Sequence, residues 1–384
     1  MKTKTWIPVN ADLIGVADGA MRVTTPALLL DLQAMRENIR YLAAECSRHG
    51  MKLRPHAKTH KCAEIAQEQL AAGAVGICCA TPHEVMAMAH GGIGPIHLTT
   101  PVGQSRHFER LAALHMDGAD LMIAVDHPDQ LSRWKVALAN ATRPLPVLVD
   151  IDIGMGRTGV TSAQAAIDLA RSVRQSGCFR YAGVQGYSGM VQHINSYVER
   201  RKVYGRQLDF LQSVLDALRQ AGLGPDIISG GGTGTFGIDA ERGIFTESQA
   251  GSYIFMDVEY NEVQLFQAGD NPYKTSLLLR TSVVNNKVPG QLTINAGFKS
   301  FATDGPLAKI NMPSDHDDRY ELYGDEFGRI VLGGSGAASS HLVGEYVDLV
   351  TPHCDPTINL HDCYHVIEEG KITDIWPIIA RGTL

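Results

Sequence analysis

The chain has 384 residues, 44 % of them apolar and 20 % charged, enough for a full hydrophobic core and two domains. Its formal net charge of −7 argues against a nucleic-acid partner, because phosphate backbones demand a basic surface. No run of about 18 apolar residues suggests a membrane span, the start MKTKTWIPVNADL lacks the apolar core of a signal peptide, and seven irregularly spaced cysteines make no disulfide framework, so a reducing cytoplasm is the expected compartment.

In chain order, strand-like apolar runs fall at 26–32, 51–54, 75–80, 96–100, 120–125, 146–153, 181–187, 226–230 and 251–256. Helical patterns fill 33–47, 62–72, 83–89, 164–174 and 199–221. Continuous apolar strands alternating with helices imply a parallel sheet covered on both faces. A repeat of about 25 residues favours a (β/α)8 TIM barrel over an open sheet. The first strand is assigned to another domain, so that the barrel begins with the strand leading to Lys58. That assignment puts SGGGTGT (229–235) after the seventh barrel strand and AGSY (250–253) at the eighth, where barrels often hold a phosphate. Beyond about 265 the pattern changes to short alternating runs: SLLLRTSVV, QLTINAGF, RIVLGG, EYVDLVTP and YHVIEEGKITDIWPIIA, separated by turns such as VPGQ and EEGK. The reading is an α/β barrel over 33–265, with 1–32 and 266–384 forming a β-rich domain.

Four segments carry candidate chemistry. In LRPHAKTHKCAEIA, Lys58 stands between His56 and His60 at a strand end; neighbouring cations would favour a free, nucleophilic amine. An exposed basic turn is the plain alternative. SGGGTGT and AGSY let the backbone approach an anion closely, but match neither a Walker loop nor a dinucleotide fingerprint, so a small phosphate ester suits them best. A simple glycine-rich turn competes with that. DIDIGMGRTGV (150–160) sets Arg157 in a loop beyond a barrel strand, either to bond a ring nitrogen or carboxylate or as a surface cation. In TPHCDPTINLHD, His353 and Asp355 share a face if the segment is extended, and one imidazole with one carboxylate suits a hard divalent cation; a polar turn is the alternative.

Seven motifs, in order from about residue 24 to 382, resemble the D-threonine aldolase family, with D-3-hydroxyaspartate aldolase and, further off, D-serine dehydratase. They are RPHAKTHK, DIDIGMGRTGV, GVQGYSGMVQH, SGGGTG, QAGSYIFMD, HCDPTINLHD and the C-terminal ARG. The resemblance implies a fold-type III pyridoxal 5′-phosphate enzyme, alanine racemase-like and homodimeric. It implies that Lys58 carries the cofactor, that Gly231, Gly232, Thr233, Gly251 and Ser252 take its phosphate, and that Arg157 lies near its ring. Tyr187 and Tyr253 would line the cofactor, His193 would serve as base for the substrate hydroxyl, and His353 with Asp355 would hold manganese or magnesium. The implied reaction is retro-aldol cleavage of a D-3-hydroxy amino acid to glycine and an aldehyde. The dehydratase branch looks like His-x-Cys where this chain has Asp355, and the oxygen ligand favours the aldolase side.

The chain departs from the family pattern at CCATPHE (78–84), at Thr99–Val102, at Ser188, at the Asn295-Ala296-Gly297 triplet and at Phe327 in DEFG. These departures bear on the substrate more than on the cofactor. The rival readings are a dehydratase, an amino-acid racemase, a non-catalytic cofactor-binding protein and a binding protein without cofactor.

Overall fold

The computed structural model describes residues 8–311, 317–333 and 342–382; the opening MKTKTWI and Gly334, the last residue of RIVLGG, lie outside them. The described chain forms two compact units: a barrel unit of residues 39–251 and 263–271, and a β-rich unit of residues 8–38, 252–262 and 272–382.

Strand β1 (Ala27–Asp31) belongs to the β-rich unit. The barrel unit holds eight strands: β2 (Lys52–Leu53), β3 (Ile77–Cys79), β4 (Ile96–Leu98), β5 (Leu121–Val125), β6 (Leu145–Ile151), β7 (Phe179–Gly186), β8 (Ile227–Gly230) and β9 (Glu247–Ser248). Their order is β2-β9-β8-β7-β6-β5-β4-β3, every pair parallel. The two edges then meet. Val75 N–H donates to Leu53 O and Cys78 N–H to Pro55 O, each at 2.8 Å, and His56 pairs with Cys78. The parallel sheet is thereby closed, and most of its strand residues are buried on both faces, as the continuous apolar runs require; Lys52 and Arg180, near strand starts, are exposed.

Helices follow the strands because the loops supply caps. Thr81 Oγ1 accepts Glu84 N–H with Pro82 in the first turn, Ser162 Oγ accepts Ala165 N–H, and Ser196 Oγ accepts Glu199 N–H. Helix Tyr197–Gln220 buries Tyr204, Leu208, Leu211, Leu215 and Leu218 at three- to four-residue spacing. Three helices of the barrel unit have no counterpart in the periodicity reading: Ser105–Met116, Pro128–Ala137 and Phe236–Arg242. Their apolar stripes are thin; the second buries only Leu131 and Trp134.

One expected strand is corrected. Residues 251–256 do not form the eighth strand, which is β9, just before them; Ser252–Ile254 is a 3-10 turn, and Met256 takes a φ of 52°. The run Tyr-Ile-Phe-Met is fully buried, and burial, rather than strand geometry, is what its composition signals. AGSY still leaves the eighth strand directly.

In the β-rich unit, β10 (Leu277–Asn285), β11 (Gln291–Ile294), β12 (Lys309–Ile310), β13 (Arg319–Leu322), β14 (Gly328–Val331), β15 (Tyr346–Val350), β16 (Cys363–Glu368) and β17 (Lys371–Pro377) join β1. The sheet order is β13-β14-β11-β10-β1-β16-β17, with β15 pairing both β10 and β12. β1 is antiparallel to β10 and parallel to β16. The alternating burial of β10 matches its alternating sequence. Asn295 ties this sheet to the segment before β1: its Nδ2 donates to Thr25 O and Oγ1, each at 2.9 Å, while its Oδ1 accepts Ser282 N–H. An aspartate there could not donate, so this departure has a structural reason. Among the described residues no helix is long and apolar enough to cross a membrane.

Candidate active site

The backbone beyond β2 stays paired through His56, whose N–H donates to Ala250 O, and then turns through a 3-10 helix, Ala57–Thr59. Lys58 sits on this turn, half-buried, at the C-terminal rim of the barrel. The two histidines are turn-formers. His56 Nδ1 accepts Lys58 N–H (3.3 Å) and His60 Nδ1 accepts Cys62 N–H (3.2 Å), each capping the backbone two residues on. With Nδ1 an acceptor, His56 Nε2–H donates to Thr99 Oγ1 (3.2 Å), which donates to Cys79 O (3.1 Å). The expected cluster of cations around the lysine is corrected in the same way. Arg54 makes a buried bidentate pair with Glu247, at 2.8 and 3.0 Å. Lys61, held at a φ of 53°, pairs with Glu84, whose other oxygen accepts Ala80 N–H. Thr99 and Glu84, both within departing segments, thus hold His56 and Lys61, the residues that flank the Lys58 turn.

The loop after β8 is buried throughout. Gly231 takes a φ of +70°, and a Cβ there would overlap Asp239 Oδ2. A Cβ on Gly232 would stand 2.6 Å from Gln192 Oε1, and one on Gly234 would overlap Gln192 O. The loop is clamped from below: Gln192 Oε1 accepts Gly234 N–H (2.9 Å), and Thr235 Oγ1 accepts Gly232 N–H (3.0 Å) and Gln192 Nε2–H (3.2 Å). Sequence reasoning missed the roles of Gln192, Thr235 and Asp239; the signal was that Gln192 lies within MVQH, Thr235 ends SGGGTGT and Asp239 follows it by four residues. Gly251, at the end of β9's continuation, faces the Lys58 turn: a Cβ there would come 2.5 Å from Thr59 Oγ1. That hydroxyl is buried without a hydrogen-bond partner. Ser252 and Tyr253, next in the chain, are buried, and the Tyr253 ring lies 6.0 Å from that of Tyr273.

The loop after β6 is exposed at Gly154, Gly156 and Arg157. Asp152 Oδ1 gathers it by accepting N–H groups from Gly154, Met155 and Gly156 at 2.7–3.1 Å, and Asp126 Oδ2 accepts Gly159 N–H (2.9 Å). Beneath it, Asp150 is buried on β6. Burial pushes its carboxyl up to about 6, against Gln185 and Thr158 hydrogen bonds and the Arg157 charge. Gln185 Nε2 donates to Asp150 Oδ1 (2.9 Å) and Thr99 O (2.7 Å), which joins the Arg157 side of the rim to the Lys58 side. Tyr187 and His193 lie half-buried on the loop after β7, and Ser188 between them is fully buried.

In the β-rich unit, His353 and Asp355 do not share an extended segment as expected. His353 is the extended N-cap residue (φ −143°, ψ 123°) of the short helix Cys354–Ile358, and Asp355 lies in its first turn. Asp257 anchors the turn: Oδ2 accepts Cys354 N–H and Oδ1 accepts Tyr260 N–H, each at 2.9 Å. His353 Nδ1 bonds Asp304 Oδ2 (2.9 Å). Burial opposes charge on the imidazole, but Asp355, Asp257 and Asp304 together raise its pKa. Among the described residues no three His, Cys, Asp or Glu side chains form a ready ligand cluster. The two residues therefore stand as a pair with a carboxylate behind the imidazole, an arrangement that orients metal-binding histidines.

Two family models match in succession, "Alanine racemase, N-terminal domain" over residues 30–259 and "Putative serine dehydratase domain" over 276–367. A D-threonine aldolase from Arthrobacter sp is 38 % identical over 366 residues, covering 95 % of this chain and 94 % of that one. The chain belongs to the D-threonine aldolase family. A 3-hydroxy-D-aspartate aldolase of this family, from Paracoccus denitrificans (strain Pd 1222), is 33 % identical over 94 % of this chain and 92 % of its own. The crystal structure of D-threonine aldolase from Filomicrobium marinum superposes with a TM-score of 0.87 at 34 % identity, covering 94 % of this chain and 95 % of that one. The fold is alanine racemase-like, a parallel eight-stranded barrel with a separate mixed sheet, and the chain is a lyase of the D-threonine aldolase type.

Proposed function

We propose that this lyase depends on pyridoxal 5′-phosphate and a divalent cation, manganese or magnesium, and cleaves D-3-hydroxy amino acids to glycine and an aldehyde. The observation that carries the reading is local to the barrel rim: the Lys58 turn meets Gly251 through Thr59, whose buried hydroxyl has no partner, at a cradle only glycine leaves open. These residues fit a small phosphate ester with an aldehyde. Lys58 would hold the aldehyde; Gly231, Gly232, Thr233, Gly251 and Ser252 would receive the phosphate; Tyr187 and Tyr253 would line the ring.

When bound, the cofactor supplies an electron sink for the pair left at Cα as the Cα–Cβ bond breaks. The chain's own residues do the rest. Arg157 stays charged at all working pH and so brings a fixed cation, not a transferable proton, to the ring edge. His193, on the loop after β7, takes the proton from the substrate hydroxyl. His353 would ligate through Nε2, since Asp304 engages Nδ1, and Asp355 adds a hard oxygen; a cation held there polarises a hydroxyl. The enzyme is proposed to act as a cytoplasmic homodimer, which a sedimentation measurement checks.

The test is one assay of glycine and aldehyde together, with manganese and a panel of D-3-hydroxy acids. Lys58→Ala should abolish the lysine-linked visible chromophore and all turnover. His353→Ala and Asp355→Ala should each remove metal dependence and most activity; full rates in chelator would refute the ligand pair. The serine dehydratase model over 276–367 favours one second reading, water elimination from the same substrates. Keto acid and ammonia in place of glycine would establish it.

A further inference from the structure

Directly under the glycine loop lies a carboxyl group that the reaction does not use. Asp239 is 2 % exposed, on helix Phe236–Arg242. Its Oδ2 accepts Thr235 Oγ1–H at 2.8 Å, and Thr235 Oγ1 in turn accepts the Gly232 and Gln192 N–H groups described above. The same Oδ2 occupies the space a Cβ on Gly231 would need. Oδ1 is buried with no hydrogen-bond partner.

A carboxylate in that position is costly twice over. One oxygen is desolvated without a donor. A dianionic phosphate on the loop above it would add like-charge repulsion through a dry, weakly screening interior. The groups facing it from neighbouring helices do not offset this. Tyr204, from helix Tyr197–Gln220, and Cys46, from helix Leu32–Arg48, are kept protonated by burial, the thiol pushed up to about 12. On the Asp239 carboxyl itself, burial outweighs the Thr235 hydrogen bond and the Tyr204 hydroxyl and Gly232 N–H dipoles facing it, and pushes it up to about 7.

We propose that Asp239 is a positioning residue that couples phosphate binding on the glycine loop to uptake of one proton from solvent. With Asp239 neutral, the loop presents a phosphate only with N–H and O–H dipoles; with Asp239 ionised, the loop carries a negative charge at its base. The inference rests on the proposed assignment of this loop to the cofactor phosphate. The sign follows: affinity for the phosphate-bearing ligand falls as pH rises through 7 and recovers below it.

Calorimetry on the full chain stripped of cofactor tests this with pyridoxamine 5′-phosphate and pyridoxamine, which differ only in the phosphate and form no bond to Lys58. The ratio of their dissociation constants isolates the phosphate contribution. Above pH 7 the phosphate is already dianionic, so its own titration drops out. In the wild type the ratio should fall about tenfold from pH 7 to 8.5, and binding in two buffers of different ionisation heat should report proton uptake. Asp239→Asn should flatten the ratio and abolish the uptake. Thr235→Val, which removes the donor to Oδ2, should move the fall to higher pH, and Thr235→Ser should restore it. A pH-independent wild-type ratio, or a Thr235→Val profile that does not move, overturns the coupling while leaving the loop assignment standing. Should the phosphate add no affinity even at pH 7, the assignment fails and the coupling with it.

Discussion

The loop after β6 and the loop after β8 leave the same barrel rim with similar glycine-rich sequences, yet they use glycine for different reasons. In the first, Gly154, Gly156 and Gly159 take φ values of +122°, +65° and +103°; a Cβ on Gly156 would meet nothing within 4 Å, and only Gly159, at the foot of the loop, also lies against backbone, 2.3 Å from Asp152 N. Glycine there buys a left-handed path around the Asp152 carboxylate. In the second, only Gly231 has a positive φ between residues 229 and 235, and Gly230, Gly232 and Gly234 are small because other atoms fill the space beside them. A flexible-looking composition therefore describes both an exposed loop shaped mainly by dihedral angles and a buried one shaped mainly by packing.

Substitutions can break this contrast, beginning with the harshest. Gly234→Ala forces a methyl into the Gln192 carbonyl, a backbone group that has no side-chain rotamer to swing aside. It should cost about 3 kcal/mol and release the cofactor, seen as a lower Tm and loss of bound chromophore after gel filtration. At the foot of the other loop, Asp150 acts with the opposite sign. Its folded carboxyl is raised from 3.8 to about 6, so the buried charge weakens the fold above pH 6, and that penalty fades as pH falls through 6 toward 4. Asp150→Asn should raise stability at pH 8 by about 2 kcal/mol, with the advantage gone below about pH 4 in pH-dependent melting curves. Asp152→Ala releases three N–H groups on a solvent-exposed loop and should cost about 1.5 kcal/mol, while leaving the phosphate contribution to ligand affinity unchanged. Gly156→Ala should be mildest, about 1 kcal/mol of left-handed strain with the phosphate contribution again intact. Equal damage from Gly156→Ala and Gly234→Ala would erase the distinction.

Much of the barrel was legible because buried parallel strands leave continuous apolar runs, and strand ends mark the rim where Lys58, Arg157, Tyr187 and the glycine loop lie. The chemistry of the lysine turn was not legible in the same way. His56 and His60 read as neighbouring cations, but each spends its Nδ1 on a backbone N–H, a bond local spacing does not announce. The eighth strand was displaced by a buried apolar turn, and the two-residue β12 is too short for any period. His353 and Asp355 were found as residue types, but their geometry comes from a helix cap fixed by Asp257, 96 residues earlier than His353 by number. The roles of Gln192 and Asp239 were not legible because their partners, the Gly234 N–H and the Thr235 hydroxyl, belong to a loop whose path only the fold sets.

The barrel seam has a consequence for how the enzyme matures. The strand that leads to Lys58 is held on one flank by the β3 segment and on the other by β9, through Lys52↔Glu247 and Leu53↔Ser248. A nascent chain on the ribosome has made Lys58 long before it has made that second flank. The amine thus gains its fixed setting only after β9 emerges, so a product truncated before residue 247 would lack the proposed geometry for an aldehyde cofactor, and loading of that cofactor would report on a closed barrel.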